Sequence, residues 1–453
     1  MAELKMDELA DDIQDLIGQN AKGHIINLLT DLHPADIADL LDTLPEKDRR
    51  FLFGLLDKEV ASDVILEVQD VSRESLLDRL DQQRLSEIVD EMDSDDATDI
   101  VSELPTEVAE VVLDSIDKQD SDEVKELLKY PEESAGGIMA LEFVAVQQDA
   151  TVGEAIEQIR KAAEEIKEIY NVYVTDERGV LTGVLPLRQL IISPPDTKIS
   201  QIMETDVASV TTDMDQEEVA NIVSKYDLLA VPVVDRGGNL VGRITIDDIV
   251  DVMEDEVSED FSKMAGTDDE EIGETSALKV AGWRLPWIIT SLCGGILSGT
   301  IISHFKETLG PLLALAFFIP VITAMGGNIG LQSSSMTVRG LATGEIDTHH
   351  LRRRLWRELR IGVLMGAICG GAVGTVAYIW LRNGLLGIIV GGAMFCAVTV
   401  AASLGILVPV FFDRLEVDPA LASGPFVTMS NDITGLVIYF GLAALLLKWT
   451  GVG

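Results

Sequence analysis

The stretch "SGPFVTMSNDITGLVIYF", Ser423 to Phe440, decides which kind of fold this chain adopts. It belongs to an apolar segment, 419–447, that is long enough to cross the hydrocarbon core of a bilayer and carries one charged residue, Asp432. Four further apolar runs without any charge precede it, at 285–303, 308–338, 361–381 and 383–412. The sequence therefore predicts a membrane domain with five spans.

The charges are distributed very unevenly along the 453 residues. Residues 1–274 contain 69 of the 77 acidic residues and 22 of the 34 basic ones, a net charge of −47, whereas the remainder carries +4. A negative field of this size attracts cations and repels a phosphate backbone, which argues against nucleic acid as a partner. We expect an acidic soluble portion followed by the membrane domain.

Basic residues beside the spans predict the orientation, because cytoplasmic loops carry an excess of Lys and Arg. Nine basic residues fall on one face: Lys279, Arg284, Arg339, Arg352, Arg353, Arg354, Arg357, Arg360 and Arg414. Three fall on the other: Lys306, Arg382 and Lys448. This bias predicts a multi-pass protein of the inner (plasma) membrane with cytoplasmic N-terminal domains. The alternative for "LRRRLWRELR", a nucleic-acid patch, is disfavoured by its position beside a span.

An internal repeat organises the first 134 residues. The motif "ADIADLLDTLP", ending at Leu44–Pro45, returns as "DDATDIVSELP", ending at Leu104–Pro105. Apolar residues at helical spacing with Pro at each boundary predict short helix pairs stacked into a right-handed or solenoid-like bundle. Carboxylates concentrate in "DEMDSDDATD", which contains Asp95. They are either candidate cation ligands or part of a solvated outer face of the bundle.

A second repeat occupies 135–200 and 201–253. Each copy alternates strand, helix, a strand pair around an Asp and Gly turn, and helix, with Asp176 and Gly183 answered by Asp235 and Gly242. This order resembles a tandem pair of CBS domains, small α/β modules that sense ligands. The resemblance implies at most one adenine-nucleotide site: Thr245 and Asp247 fit the nucleotide pattern, whereas Pro186 and Arg188 occupy the matching places of the first copy.

The segment 254–278 connects the second repeat to the first span and is predicted to be a helix. Together with the preceding turn it is dense in carboxylates that repel one another at helical spacing unless cations intervene. They are Asp247, Asp248, Asp251, Glu254, Asp255, Glu256, Glu259 and Asp260. A solvated connector is the alternative.

Polar side chains also interrupt the second span, "IPVITAMGGNIGLQSSSMTVRGLATGE". Asn328, Gln332 and three serines at 333–335 lie in a run without charge. Lipid offers no hydrogen-bond partners to such a row, whereas its amides and hydroxyls suit a hydrated ion, so we predict that 325–335 lines a pore. Close packing of small residues between helices is the alternative.

Four motifs are spread over nearly the whole chain: "YPEESAGGIMALEFVAV", "DMDQEEVANIVSKYDLLAVPVVD", "MGGNIGLQSSSMTVRGLATGE" and "DPALASGPFVTMSNDITGLVIYF". In this order they resemble the MgtE family of magnesium channels. The resemblance implies a helical N-domain, a CBS pair, a connecting (plug) helix and a membrane domain at 279–453. It further implies a homodimer whose pore is formed by the second and fifth spans and is gated by cytosolic Mg²⁺.

Asp432 is the residue we expect to select the ion. An ionised Asp in a span costs about 2.5–3.5 kcal/mol on insertion scales, so it should face water or a cation. Two such carboxylates, one per subunit, suit Mg²⁺ that keeps several of its waters. The alternative is an Asp that caps a broken helix beside Pro425 and Gly435. The resemblance adds Thr428 and Gly424 to the pore lining, although the family commonly has Asn at the latter position.

The resemblance also implies regulatory Mg²⁺ ligands. They are Asp95, Asp215, Glu217, Asp227, Asp248, Asp251, Glu256, Glu259, Asp260 and Asp418. Mg²⁺ is thus expected as both the transported ion and the regulatory ligand. A CBS-regulated enzyme is disfavoured because the soluble portion has no Cys and no catalytic arrangement of His. The sequence does not distinguish a channel from an exchanger coupled to sodium or protons.

Overall fold

The structure of the chain, a computed structural model, describes residues 2–450 with the exception of 164–165, 167–168, 269–270, 272–273, 275, 306–312, 344–345, 347–350 and 416. The chain divides into two compact units, Met1–Met253 and Glu254–Gly453. Each unit has hydrophobic clusters of its own, and each is described by itself below.

Short helices fill the first part of the N-terminal unit. Their bounds are α1 Ala2–Gly18, α2 Lys22–Leu29, α3 Pro34–Thr43, α4 Glu46–Phe53, α5 Lys58–Glu67, α6 Asp70–Leu77, α7 Gln82–Val89, α8 Ser94–Glu103, α9 Thr106–Ser115 and α10 Lys118–Leu127. Local capping explains several boundaries: His33, for instance, is the N-cap of α3, and its Nδ1 accepts a hydrogen bond from the Ala35 N–H at 3.3 Å.

These helices stack by packing alternate neighbours together. Helix α3 packs on α5, α5 on α7, α7 on α9 and α8 on α10, around a core of buried Leu, Ile and Val side chains. The repeated Leu–Pro motif plays the same part in both copies. Leu44 and Leu104 end α3 and α8, and Pro45 and Pro105 precede α4 and α9. The predicted stack of helix pairs is confirmed.

Two small sheets of identical topology follow. The first contains β1 Ala145–Gln147, β2 Asn171–Thr175 and β3 Leu181–Pro186, and the second contains β4 Val210–Thr211, β5 Ala230–Val234 and β6 Leu240–Thr245. In each sheet the first strand pairs parallel with the second, which pairs antiparallel with the third. The accompanying helices are α11 Val152–Ala162, α12 Leu187–Ile192, α13 Gln216–Tyr226 and α14 Ile246–Ala265, with a 3₁₀ turn at Ile199–Gln201.

The paired Asp and Gly residues of the two copies have matching structural roles. Asp176 Oδ1 accepts hydrogen bonds from the backbone N–H groups of its own turn, as Asp235 Oδ1 does in the second copy. Gly183 and Gly242 each lie against a methionine and a carbonyl oxygen, so that a Cβ at Gly242 would lie 2.8 Å from the Ala140 oxygen. The predicted tandem repeat is confirmed.

The C-terminal unit contains five helices that are long and apolar enough to cross a membrane within the described residues. They are α15 Ala277–His304, α16 Ile319–Ala342 (preceded by a 3₁₀ turn, Leu313–Phe318), α17 Leu351–Leu381, α18 Gly384–Asp413 and α20 Pro425–Thr450; the short helix α19 Pro419–Ser423 lies before the last. All five predicted spans correspond to these helices. The basic segment 351–360 forms the first turns of α17.

Glycines let two of these helices approach closely. A Cβ at Gly370 of α17 would lie 2.5 Å from the Gly391 oxygen of α18, and one at Gly391 would lie 2.7 Å from the Gly370 oxygen. Close packing thus accounts for these two glycines. Their neighbour Gly371 faces open space, so the same explanation does not extend to it.

The limits of two helices, α14 and α20, bear directly on the sequence predictions. Helix α14 begins at Ile246, inside the second repeat, and ends at Ala265, so the predicted connecting segment forms only its second half before the helix stops. Helix α20 begins at Pro425 and continues without a break through Asp432 and Gly435. The alternative in which Asp432 caps a broken helix is therefore excluded.

Candidate functional site

An acidic cluster forms in the N-terminal unit where the first turn of α8 meets the first turn of α14. Asp95 and Asp96 lie in the first turn of α8, and Asp248 lies in the first turn of α14. The Asp95 side chain is buried, with 8% exposure. The sequence predicted Asp95 and Asp248 as regulatory ligands, and the structure brings them together.

Burial and mutual repulsion shift the acidity of these groups. Burial, followed by the charge of Asp248, raises the pKa of Asp95 well above its ordinary range and raises the pKa of Asp96 to about 8. Burial also raises the pKa of Asp248 to about 6, although hydrogen bonds from Thr245 oppose that rise. Carboxylates so placed do not all ionise at neutral pH unless a cation compensates them. The cluster therefore has the electrostatics of a cation site.

Glu142 positions the cluster from the segment between the helical bundle and the first sheet. Its Oε1 accepts a hydrogen bond from the Ser94 N–H at 3.0 Å, and its Oε2 accepts one from Ser94 Oγ at 2.8 Å. Ser94 Oγ in turn accepts from the Leu141 N–H at 2.9 Å. A carboxylate at this end of α8 interacts favourably with the N-terminal dipole of the helix. Glu142 thus fixes the first turn of α8, which carries Asp95 and Asp96.

The raised pKa values in this cluster predict that the stability of the N-terminal unit depends on pH. Because folding raises the pKa of Asp95, Asp96 and Asp248, the folded state holds protons more tightly than the unfolded chain. The metal-free N-terminal unit should therefore lose stability as pH rises from about 4 to about 8. We expect its unfolding temperature to fall by about 3 °C for each kcal/mol lost, and added Mg²⁺ to restore more at pH 8 than at pH 5.

The measurement is the protease resistance of residues 1–253 in the intact protein, followed during heating in EDTA and in Mg²⁺ at both pH values. Asp95→Asn combined with Asp96→Asn should flatten both the pH dependence and the Mg²⁺ response. Equal stability of the metal-free wild type at pH 5 and pH 8 would contradict the prediction.

A second cluster lies in the C-terminal unit, where the end of α14 meets the turn before α19. Lys263 Nζ lies 2.8 Å from Asp418 Oδ2 and also forms an ion pair with Glu259, one helical turn away. Partial burial alone would lower the pKa of Lys263, but the hydrogen bonds from its ammonium to Asp418 and Glu259 raise it. Burial and then the charge of Asp418 raise the pKa of Asp260 to about 6. Three predicted ligands, Glu259, Asp260 and Asp418, are thus brought together.

The other predicted regulatory residues are Asp215, Glu217, Asp227, Asp251 and Glu256, and they have different surroundings. Asp215 is the N-cap of α13 and accepts a hydrogen bond from the Glu217 N–H at 2.9 Å, whereas Asp227 follows the opposite end of that helix, with φ of 52°. Asp251 is exposed on α14, although its charge contributes to the raised pKa of Asp248. Glu256 is half-buried on the same helix. For these residues the ligand role stays a prediction.

Thr245, proposed above as a nucleotide contact, is engaged elsewhere in this structure. Its Oγ1 donates to Asp248 Oδ2 at 2.7 Å and its N–H donates to the same oxygen at 2.9 Å. The Thr245 side chain is buried, and only Asp247 of the predicted nucleotide pair is exposed. In this structure Thr245 therefore supports the acidic cluster and is not available to a nucleotide.

Polar residues of the second and fifth spans form a row on the outside of the single chain. Asn328 and Gln332, one turn apart on α16, are both exposed, and so is Thr428 on α20. Asp432, one turn after Thr428, is half-exposed, and within the described residues its carboxylate forms no hydrogen bond or ion pair. A side chain on Gly327 would touch Thr428 Cγ2 at 3.6 Å, which places the two helices side by side.

Three other polar residues of α16 point into the bundle. Ser333 and Ser334 are buried, and Thr337 is buried with its hydroxyl donating to the Ser333 carbonyl at 2.7 Å. On α20, Asn431 is 2% exposed and packs against Gly330. The predicted pore segment 325–335 therefore divides into an outward row and an inward, packed face, a division that no spacing rule had assigned.

Gly424 has a different environment from the rest of the predicted pore lining. It is buried, and a Cβ at this position would collide with the carbonyl oxygen of Met264, near the end of α14. The missing side chain thus allows main chain to pack on main chain.

The donor atoms of the site fit Mg²⁺ held through water. Carboxylate oxygens are the ligands this hard cation prefers. Within the described residues, no three His, Cys, Asp or Glu side chains are grouped closely enough to hold one metal ion. Mg²⁺ commonly binds through one or two carboxylates and keeps several waters, which pairs such as Asp95 with Asp248 can supply.

Comparison with known proteins covers both units. The family profile MgtE, a divalent cation transporter, matches residues 319–442; the MgtE intracellular N domain matches 32–133, and the CBS domain matches 135–194 and 199–255. The chain is 36% identical over 417 residues to the magnesium transporter MgtE of Bacillus subtilis, covering 92% of each chain. It is 42% identical over 327 residues to that of Enterococcus faecalis (72% of each chain) and 40% identical over 328 residues to that of Thermus thermophilus (72% and 73%).

Two solved structures resemble the N-terminal part. One is the soluble part of a magnesium transporter, with a TM-score of 0.51 and 33% identity, covering 55% of this chain and 99% of the other. The second is the cytosolic domain of the Mg²⁺ channel MgtE in complex with ATP, with a TM-score of 0.51 and 37% identity, covering 54% and 99%. With five apolar helices in addition, this chain is a multi-pass membrane protein that belongs to the MgtE family of divalent cation transporters.

Proposed function

We propose that the protein is a homodimeric channel that carries Mg²⁺ across the plasma membrane and closes when Mg²⁺ binds to its cytoplasmic acidic clusters. The relatives named as magnesium transporters support the ion, and none of the three compared above is named as an enzyme. The observation that carries the channel proposal is the outward row of Asn328, Gln332, Thr428 and Asp432 on otherwise apolar helices.

A polar row on the outside of one chain requires a second surface. Lipid cannot satisfy an Asp carboxylate or two amides, so the row must face water or another protein. Two copies related by a two-fold axis would place their rows opposite each other and enclose a hydrated path. Two Asp432 carboxylates would then face a cation that retains its waters.

We therefore expect the detergent-solubilised protein to be a dimer with twice the 49.1 kDa mass of the chain. Light scattering coupled to gel filtration, corrected for bound detergent, measures this mass. Because Asn328 and Gln332 would lie along the shared path, Asn328→Leu with Gln332→Leu should reduce Mg²⁺ uptake while the protein stays dimeric. A monomeric wild type that transports Mg²⁺ fully would contradict the shared pore.

Closure by Mg²⁺ follows from the two acidic clusters. Without a cation, Asp95, Asp96 and Asp248 repel one another, and so do Asp260 and Asp418. A bound divalent cation stabilises the arrangement in which these carboxylates are close, and ligands shift a conformational equilibrium by such differential affinity. We infer that Mg²⁺ favours the closed arrangement in this way and that the N-terminal domains are cytoplasmic, where they sense the imported ion.

The CBS pair could also bind a nucleotide. The related cytosolic domain was solved in complex with ATP, which supports testing ATP on this chain. Since Thr245 is bonded to Asp248, ATP that used Thr245 would have to compete with the acidic cluster. Isothermal titration with ATP, with and without Mg²⁺, measures that competition.

Uptake of Mg²⁺ into liposomes that contain the purified protein tests the transport function directly. We expect uptake down a Mg²⁺ gradient that does not change when a sodium or proton gradient is imposed. Uptake that follows the sodium or proton gradient would replace the channel by a coupled exchanger. No uptake under any gradient would contradict the proposed function itself.

A further inference from the structure

A lysine lies among the carboxylates that were predicted to bind regulatory Mg²⁺ in the C-terminal unit. The Lys263 ammonium pairs with Asp418 Oδ2 at 2.8 Å and with Glu259 on its own helix. The side chains of all three are about 70% buried, with 27%, 31% and 31% exposure for Lys263, Glu259 and Asp418. An ion pair in such a place is screened less than one on an open surface.

Asp418 is held firmly on its side of this pair. It is the N-cap of α19, and its Oδ1 accepts a hydrogen bond from the Ala420 N–H at 2.7 Å. One carboxylate oxygen thus fixes the turn before the fifth span and the other meets the lysine. The ion pair therefore connects the end of α14 with a carboxylate that also caps α19.

A second contact lies beside the first. The carbonyl group of Met264, the residue after Lys263, packs directly on Gly424 at the start of the fifth span. Only a residue without Cβ allows this approach. The two contacts together place the end of α14 on the segment 418–424 through one charged pair and one main-chain contact.

The balance of charge indicates what the lysine does. Glu259, Asp260 and Asp418 carry three negative charges, and Lys263 supplies one positive charge. The net charge of −2 that remains attracts a divalent cation, which one or two of these carboxylates could bind while the ion keeps several of its waters. We propose that Lys263 is a built-in cation of this site, which holds the end of α14 against segment 418–424 before Mg²⁺ binds and so reduces the Mg²⁺ that closure requires.

This inference rests on the proposed function in one respect, namely that docking of α14 on the segment closes the pore. The contact itself does not depend on Mg²⁺. It is therefore measured first in EDTA, by amide hydrogen exchange of residues 255–265 and 417–424 in the intact protein reconstituted in nanodiscs. Lys263→Met should exchange about threefold faster than the wild type in both segments, as expected for loss of an ion pair at a partly exposed site.

Three variants make the measurement specific. Lys263→Arg keeps the charge and should restore wild-type exchange. Asp418→Asn keeps an N-cap for α19 but removes the charge that attracts Lys263, so it should exchange about as fast as Lys263→Met. Gly424→Ala leaves every charge in place but obstructs the Met264 carbonyl, so it should accelerate exchange and thereby show that these segments report docking.

Unchanged exchange in Lys263→Met, with accelerated exchange in Gly424→Ala, would overturn the inference. The Mg²⁺ arm separates it from the proposed function. With docking weakened in EDTA, saturating Mg²⁺ should return Lys263→Met to wild-type protection. Lys263→Met could exchange faster than the wild type in EDTA while Mg²⁺ changes the exchange of neither protein. That result would support the role of Lys263 and contradict regulation by Mg²⁺ at this site.

Discussion

Replacing Asp432 by Ala should reduce Mg²⁺ uptake into liposomes by about 100-fold or more, while the protein remains folded and dimeric. The carboxylate is the only one between the ends of α20, and within the described residues it has no hydrogen bond or ion pair to lose. Removing it therefore costs the fold little. A charge-assisted contact contributes about 1.5–3 kcal/mol, and each of two subunits would lose one.

The variant Asp432→Asn separates charge from hydrogen bonding. An amide still bonds to the waters of a hydrated ion but does not attract a divalent cation more than a monovalent one. We expect residual flux with lost discrimination between Mg²⁺ and Na⁺. Asp413→Ala, the same change at the end of α18, is the matched control and should transport normally. Wild-type uptake by Asp432→Ala would remove this residue from the pore.

The architecture was largely predictable because each element has a strong local signal. Runs of about 20 apolar residues give the spans, and the Leu–Pro boundaries at Leu44–Pro45 and Leu104–Pro105 give the stacked helix pairs. The Asp and Gly turns of the two sheets repeat at matching places because the same close approach recurs at Gly183 and Gly242. Each of these signals lies within a short window of sequence.

The site was less predictable because it depends on which residues meet across the fold. Asp95 and Asp248 are separated by more than 150 residues. Asp96, which lies near both, and Glu142, which lies near Asp95, were not selected as site residues. The density of carboxylates in "DEMDSDDATD" was a signal for Asp96, but Glu142 had none, since its role comes from capping Ser94. Lys263 was not predicted for a different reason. One basic residue in an acidic helix is typical of a surface ion pair, and only the structure places Asp418 beside it.

The second span illustrates the same limit within a single helix. A polar row at 328–335 indicated a pore, yet three-dimensional packing turns Ser333 and Ser334 inward and leaves Asn328 and Gln332 outside. Composition gives the polarity of a span, whereas the neighbours of each face decide which polar groups are available to an ion. Variants at the buried serines should therefore affect folding more than ion selectivity.

The largest regulatory effect is expected from the cluster between α8 and α14. Asp95→Asn with Asp248→Asn should leave the channel open at cytosolic Mg²⁺ concentrations that close the wild type. We expect the half-inhibiting concentration to rise by about tenfold or more, within the usual range of coupling between two sites. Patch-clamp recording with cytosolic Mg²⁺ raised in steps measures it. Asp11→Asn with Asp12→Asn, which removes two exposed charges from α1, is the matched control and should close normally.

The same double variant distinguishes coordination from simple repulsion. Because the pKa values of Asp95 and Asp248 are raised, part of the metal-free population already holds protons there, and Asn resembles that neutral form closely. If repulsion alone kept the channel open, the variant would close without Mg²⁺. Coordination predicts the opposite, since Asn removes the charge that attracts the cation. We favour coordination: both carboxylates lie where salt screens poorly, and a shared divalent cation there contributes more than relief of repulsion across water.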